Sequence, residues 1–219
     1  FFVRYVMGSL TALTGRVTSW PSVVEHAEIL LAFGGLALKN AQVASGGAVE
    51  HTLKPALEQL AKKGTRVINI SPMRDDCPEF LNAEWIPIRP NTDAALMMAI
   101  AYEIQRKEAQ DDAFLASHCV GYPQLAAYLR GEKDGVAKTP DWASHITGIP
   151  AERIARLADD LIGVRSFITC SYSVQRAHRG EQPYWMMIAI SAMLGQVGLP
   201  GGRLLIRPRF NEQRRQPAL

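Results

Sequence analysis

From Glu28 to Phe33 the chain runs through Ile29-Leu30-Leu31-Ala32-Phe33 without a polar residue, and Gly34-Gly35 ends the run. A stretch this short and this uniformly apolar has no polar face to offer water, so neither an amphipathic helix nor a half-exposed strand suits it. It fits a strand buried on both faces, as in a parallel sheet with helices above and below. The rest of the fold must supply those helices.

The sequence after it has the required alternation. Val49–Lys62 carries Leu53, Ala56, Leu57 and Leu60 at helical spacing, with Gly64 placed to end the helix in a left-handed turn. Arg66-Val67-Ile68-Asn69-Ile70 reads as a second strand, stopped by Ser71-Pro72, and two strands joined by a helix form a right-handed crossover. Glu84–Ile88 reads as a third, and its internal Pro87 assigns it to an edge or a strand end. Ala94–Lys107 follows as a helix with Leu96, Met97, Ile100 and Ile104 on one stripe, capped by Asn91 or Thr92. Several short helices are expected over Asp111–Gly148, then one from Pro150 to Ile162, and Phe167–Cys170 returns the chain to a buried strand.

The expectation is an α/β fold, a parallel doubly wound sheet of about four strands with helices on both faces. The domain spans 28–202, with a helical insertion at 108–148. Residues 1–27 read as an irregular lead-in, with Trp20-Pro21-Ser22 as a stop and at most one helical turn over Val23–Ala27. Residues 203–219 read as a disordered tail in which Leu204–Ile206 is the exception, a short strand. Phe1 begins in mid-pattern without an initiator Met, so the chain reads as a fragment.

Charge narrows the partners. The formal net charge is +3, yet from Arg203 onward there are five arginines and one glutamate, which leaves the preceding 202 residues at −1. The body has no basic footprint for nucleic acid. Cys77, Cys119 and Cys170 are far apart and odd in number, so they form no disulfide framework or zinc spacing. The longest apolar helix candidate, Trp185–Leu194, is too short for a bilayer, and no membrane insertion is expected.

Function is expected where the strands end. Polar turns follow four of them: Gly34-Gly35 through Lys39-Asn40, Ser71-Pro72-Met73-Arg74, Arg89-Pro90-Asn91-Thr92-Asp93, and the long polar loop after Cys170. In a doubly wound sheet such turns share one edge and converge on a crevice. Gly34 and Gly35 let backbone approach a ligand, Lys39 or Arg74 can meet phosphate, and Asp93 can accept two N–H donors from a ring such as guanine. Each has a plainer alternative: Asp93 as a first-turn acid complementing the helix dipole, Arg74 as a solvated arginine. No G-x-G-x-x-G, P-loop or nucleophile elbow is present, and the five histidines form no metal-ligand spacing. From residues alone the chain is a ligand-binding α/β domain without an assigned reaction, and a non-catalytic nucleotide-binding domain stays open.

Two runs carry a resemblance. Tyr172-Ser173-Val174-Gln175-Arg176-Ala177-His178-Arg179-Gly180-Glu181-Gln182 and Met193-Leu194-Gly195-Gln196-Val197-Gly198-Leu199-Pro200-Gly201-Gly202 resemble the dimethyl sulfoxide reductase family of molybdopterin oxidoreductases, in its S-oxide- and N-oxide-reducing branch. Ile70–Arg74 and Pro90–Asp93 fit it too. The resemblance implies a bis(molybdopterin guanine dinucleotide) cofactor with molybdenum, of which this segment cups one half, and oxygen-atom transfer from a small S-oxide or N-oxide. The electron donor stays unassigned. Carried over, Ser71, Pro72 and Arg74 with Pro90, Asn91 and Asp93 would hold ribose and guanine, Lys39 would lie near the pterin, and Gly35 would be among the cofactor-binding positions. Tyr172, Ser173, Val174, Gln175 and Arg176 would line the pterin, with Tyr172 and Arg176 at the floor of the substrate funnel. The resemblance places the metal-ligating serine upstream of the matching region, so no metal ligand and no catalytic residue is expected in this segment. Tyr172 stands where many relatives carry Trp, which bears on funnel shape.

Overall fold

A computed structural model of the chain describes Val6 and residues 19–41, 51–201 and 204–205. Its centre is β1 (Ile29–Phe33), every residue of which is buried. β1 pairs in parallel with β2 (Arg66–Ile70) on one side, Ile29 opposite Arg66. On the other it pairs with β4 (Ser166–Cys170), Ile29 opposite Ser166. With β3 (Glu84–Ile86) beyond β2 and β5 (Leu204–Leu205) beyond β4, the sheet order is β3-β2-β1-β4-β5, all parallel. The fifth strand is the exception anticipated in the tail; the remainder of the tail lies outside the described residues.

The two faces of the sheet are covered by different helices. Leu30, Ala32, Val67 and Phe167 point to α1 (Trp20–His26) and α2 (Leu53–Lys63), where Trp20, Val23, Leu57 and Leu60 are buried against them. Ile29, Leu31, Phe33, Ile68, Ile70 and Ile168 point the other way. There they meet α3 (Asp93–Arg106), α7 (Ala151–Leu161) and α8 (Glu181–Met193). Three short helices, α4 (Asp112–His118), α5 (Tyr122–Leu129) and α6 (Pro140–Thr147), complete that layer, and Leu115, Leu129 and Ala143 join its core. The alternation of neighbouring strand residues between two cores is what an unbroken apolar run requires.

Local chemistry explains where the boundaries fall. α1 runs for seven residues, longer than the single turn expected, because Pro21 sits in its first turn, where a missing N–H costs nothing. Trp20 thereby reaches Phe167, ring centroids 6.0 Å apart. β3 stops at Ile86, since Pro87 has no N–H to donate, and it is an edge strand as its proline required. Thr92 occupies the cap position of α3, but its hydroxyl donates to the Arg89 carbonyl at 2.7 Å instead of accepting from the helix. At α6 the cap is made: Thr139 accepts from the Trp142 N–H at 3.2 Å.

Candidate functional site

The strand order decides where a ligand can sit. The chain lays β2 and β3 to one side of β1, then crosses back through α3–α7 to place β4 on the other. That reversal opens a crevice between the C-terminal ends of β1 and β4, because the connections leave in opposite directions. Around it the first residue past each strand is tied to the neighbouring strand. The Gly34 N–H donates to Ile70 O at 2.8 Å, Ser71 N–H to Ile86 O at 3.3 Å, and Ser171 N–H to Phe33 O at 2.8 Å.

Gly34 and Gly35 are both in the left-handed region, at φ 75° and 88°. What approaches them is the protein itself. A Cβ on Gly34 would lie 2.5 Å from Ser171 Oγ and 2.7 Å from Val174 Cγ2, and one on Gly35 would lie 2.7 Å from the Asp76 carbonyl oxygen. The two glycines therefore let the turns after β2 and β4 close over the end of β1. Asp76 was not foreseen from sequence. It ends the short 3-10 turn Arg74–Asp76, its carbonyl accepts from Leu36 N–H at 2.7 Å, and its carboxylate accepts from the Ser71 hydroxyl at 2.8 Å. Ser71 is fully buried and also accepts from Met73 N–H at 3.2 Å. Within this turn, Pro72, Met73, Arg74 and Asp75 are the exposed groups.

The third turn presents Pro90 and Asn91 to solvent, with Asn91 at φ 65°, and delivers Asp93 as the first residue of α3. Asp93 is buried, and that burial pushes its carboxyl above the ordinary Asp value, more than its own backbone hydrogen bond lowers it. It lies close enough to Cys170, at the end of β4, to raise the thiol further, though burial is the larger cause there. The fourth turn is the 3-10 segment Tyr172–Gln175. Val174 enters the core, Tyr172, Ser173, Gln175 and Arg176 face outward, and the hydroxyls of Ser171 and Ser173 hydrogen-bond to each other.

Arg89 of the third turn donates to the His145 carbonyl, but four other cations of this edge are exposed. Among the described residues none of Lys39, Arg74, Arg176 or Arg179 is within ion-pair distance of a carboxylate. Lys39 sits on the 3-10 turn Leu38–Ala41 after β1. The strand ends thus bring Gly35 against Asp76, Ser71 against the same residue, Gly34 against the Ser171–Val174 turn and Asp93 close to Cys170, with Lys39, Arg74 and Asn91 exposed on the same edge. A cavity lined by His26, Glu28, Arg165, Gln196 and Pro200 lies at the opposite, N-terminal edge. Among the described residues no group of three His, Cys, Asp or Glu side chains could hold a metal ion, and no helix is long and apolar enough to cross a membrane.

Residues 3–209 match the family model described as molybdopterin oxidoreductase. The chain belongs to that family.

Its relatives sharpen the placement. The chain is 46% identical over 200 residues to biotin sulfoxide reductase from Cereibacter sphaeroides, covering 91% of this chain and 27% of that one. It is 38% identical over 199 residues to the dimethyl sulfoxide/trimethylamine N-oxide reductase of Rhodobacter capsulatus, covering 90% and 24%. It is 34% identical over 198 residues to trimethylamine-N-oxide reductase of Haemophilus influenzae, covering 90% and 24%. The chain therefore spans about a quarter of the length of these curated relatives. Among solved structures, acetylene hydratase from Pelobacter acetylenicus has the same fold over 86% of this chain and 22% of its own, at a TM-score of 0.52 and 20% identity. As a segment of a molybdopterin oxidoreductase, the chain has its polar turns on the edge where the fold presents ligand sites.

Proposed function

We propose that this chain is the part of an S-oxide or N-oxide reductase that holds one nucleotide-bearing arm of a bis(molybdopterin guanine dinucleotide) cofactor. The observation that carries the reading is the C-terminal edge of the sheet: buried Asp93 close to Cys170 at the end of β4, and four exposed cations on the same edge without a carboxylate partner among the described residues, in a chain 46% identical to a biotin sulfoxide reductase. The donor set fits such a group. A dinucleotide needs cations for its pyrophosphate, and Lys39 and Arg74 stand on the rim of the crevice. A guanine ring needs an acceptor-only partner for its adjacent N–H groups, and Asp93 is one. Asn91, turned outward by its left-handed backbone, with the Pro72–Arg74 turn serves the ribose.

When bound, molybdenum would supply two-electron oxygen removal: the S–O or N–O bond breaks, and two electrons and two protons take the oxygen to water. The chain's own residues do the binding and orienting. Tyr172 and Arg176 face the substrate side, where the guanidinium can donate to the oxide oxygen and draw charge toward it.

Titration of the 219-residue chain with guanosine and adenosine diphosphates tests the assignment. The guanine nucleotide should bind tighter, and Asp93→Asn should weaken it by about 1–3 kcal/mol, because an acceptor becomes a donor facing a donor. Equal affinity for the two nucleotides, or tighter adenine binding, removes the guanine reading.

A further inference from the structure

We propose that Tyr184 of α8 is a positioning residue that fixes the Tyr172–Gln175 turn at the end of β4, and so the placement of Tyr172 and Arg176; its consequence for catalysis rests on the reading above. Tyr184 is 1% exposed, set in a helix whose Met187, Ile190 and Met193 are equally buried. Its hydroxyl donates to the Ser171 carbonyl oxygen at 2.7 Å. That same carbonyl accepts the Val174 N–H at 3.2 Å, the bond that closes the turn, while the Ser171 N–H donates to Phe33 at 2.8 Å. The backbone of one residue, Ser171, is thus held through its N–H from β1 and through its carbonyl from the turn and from α8.

Burial holds little of the turn. Four of the five residues Tyr172–Arg176 face outward, and only Val174 enters the core. A turn with one buried side chain keeps its orientation through its backbone, and the backbone group that Tyr184 holds lies at its root. A phenol ring with two torsions, packed in a helix, is a rigid strut for that purpose. Burial drives the Tyr184 hydroxyl well above the ordinary tyrosine value, with further upward contributions from Cys170 and Tyr172, so it stays a donor across the working pH range.

Y184F removes one oxygen, keeps the ring, and leaves the Ser171 carbonyl its Val174 donor, so no acceptor is orphaned. Hydrogen exchange on the full 219-residue chain reads the result. The Val174 and Arg176 amides should exchange about tenfold faster, the protection worth one hydrogen bond, while those of Leu30–Phe33 keep their rates. The ratio of the two sets separates a local effect from a general loss of stability even if Y184F lowers the melting temperature. Uniform acceleration, or none, overturns the proposal. In the full-length reductase the same variant should raise KM for an S-oxide about threefold or more while changing kcat less. If exchange loosens locally and KM does not move, Tyr184 holds the turn, and it is the substrate-facing reading of the turn that fails.

Discussion

The two edges of the sheet use charge in opposite ways. At the N-terminal edge the charges flanking β2 and β3 are tied to one another: Arg66 pairs with Asp160 at 2.6 Å and Glu84 at 3.0 Å, and Arg153 reaches the same two acids at 2.8 and 3.2 Å. The Glu28 carboxylate accepts the Arg165 N–H, and Gln196 bridges the Ser166 N–H and the Val164 carbonyl. At the C-terminal edge Lys39, Arg74, Arg176 and Arg179 are left unpaired, and Asp93 is buried at a cost in carboxylate stability. A fold under no other demand would satisfy both edges alike. Under the proposed function, the difference sets an edge whose charges answer one another against an edge that leaves cations for a ligand bringing its own charges.

The contrast can be broken most severely at Gly35. A side chain there must accept φ 88° and push against the Asp76 backbone, which cannot yield as a flexible side chain would. Gly35→Val should cost about 3 kcal/mol or more, roughly 6–12 °C in melting temperature for a chain of this size. A shift below 2 °C would show that the turns after β1 and β2 do not interlock. The next effect belongs to the opposite edge. Arg153→Ala deprives two acids of a half-buried partner while Arg66 still serves both, so a loss of about 1–2 kcal/mol is expected with nucleotide affinity untouched. Altered nucleotide affinity in that variant would dissolve the division between the edges.

Much of this fold was legible in the chain. The apolar runs gave β1 and β2 their positions, Pro87 placed β3 at an edge, and alternation of strands with helices implied the parallel sheet. What could not be read was any contact between distant turns. No local signal pairs β1 with β4 across more than a hundred intervening residues, so the crevice was expected in kind but not in its members. Ser71 reads as a ligand residue in sequence, yet its hydroxyl is engaged by Asp76. Asp76 lacked any motif, and Tyr184 sits in an apolar helix that reads as pure core. A lone hydroxyl in such a helix was the signal available for it, since a buried phenol needs a partner. Trp20-Pro21 reads as a stop in sequence because proline more often ends a pattern than begins one.

pH gives a sharper test, because two carboxylates respond with opposite sign. Burial raises Asp93, so the folded chain holds that proton more tightly than the unfolded one. Its ionised form therefore opposes folding, and the penalty fades as pH falls through the folded value toward the ordinary one. Burial also opposes ionisation of Glu84, but hydrogen bonds from Arg66 and Arg153 outweigh it and hold the carboxyl below its ordinary value. Its contribution is present above the ordinary value and is lost as pH falls through the depressed one. Thus Asp93→Asn should raise the melting temperature at neutral pH and Glu84→Gln should lower it. Both differences should shrink as pH drops below about 4, the ordinary carboxylate range. Shifts of the same sign at neutral pH would contradict the two environments described.

The smallest effect on stability is expected at Arg176, and that smallness is the point. Its side chain is exposed, engages no carboxylate among the described residues, and follows a turn anchored at Val174 and at the backbone of Ser171. Surface substitutions of this kind stay within about 0.5 kcal/mol, so Arg176→Ala should melt within a degree or two of the parent chain. If the C-terminal edge is built for a ligand, the loss must appear in binding instead. In the full-length reductase the variant should retain less molybdenum or turn over an S-oxide more slowly, and the measurement is metal content against steady-state rate. A melting temperature several degrees lower would mean the arginine holds the turn together, making its freedom from partners a poor guide to role. Unchanged metal content and rate, with unchanged stability, would leave an arginine with no task at an edge where unpaired charge is supposed to signify one, and the contrast between the two edges would lose its functional meaning.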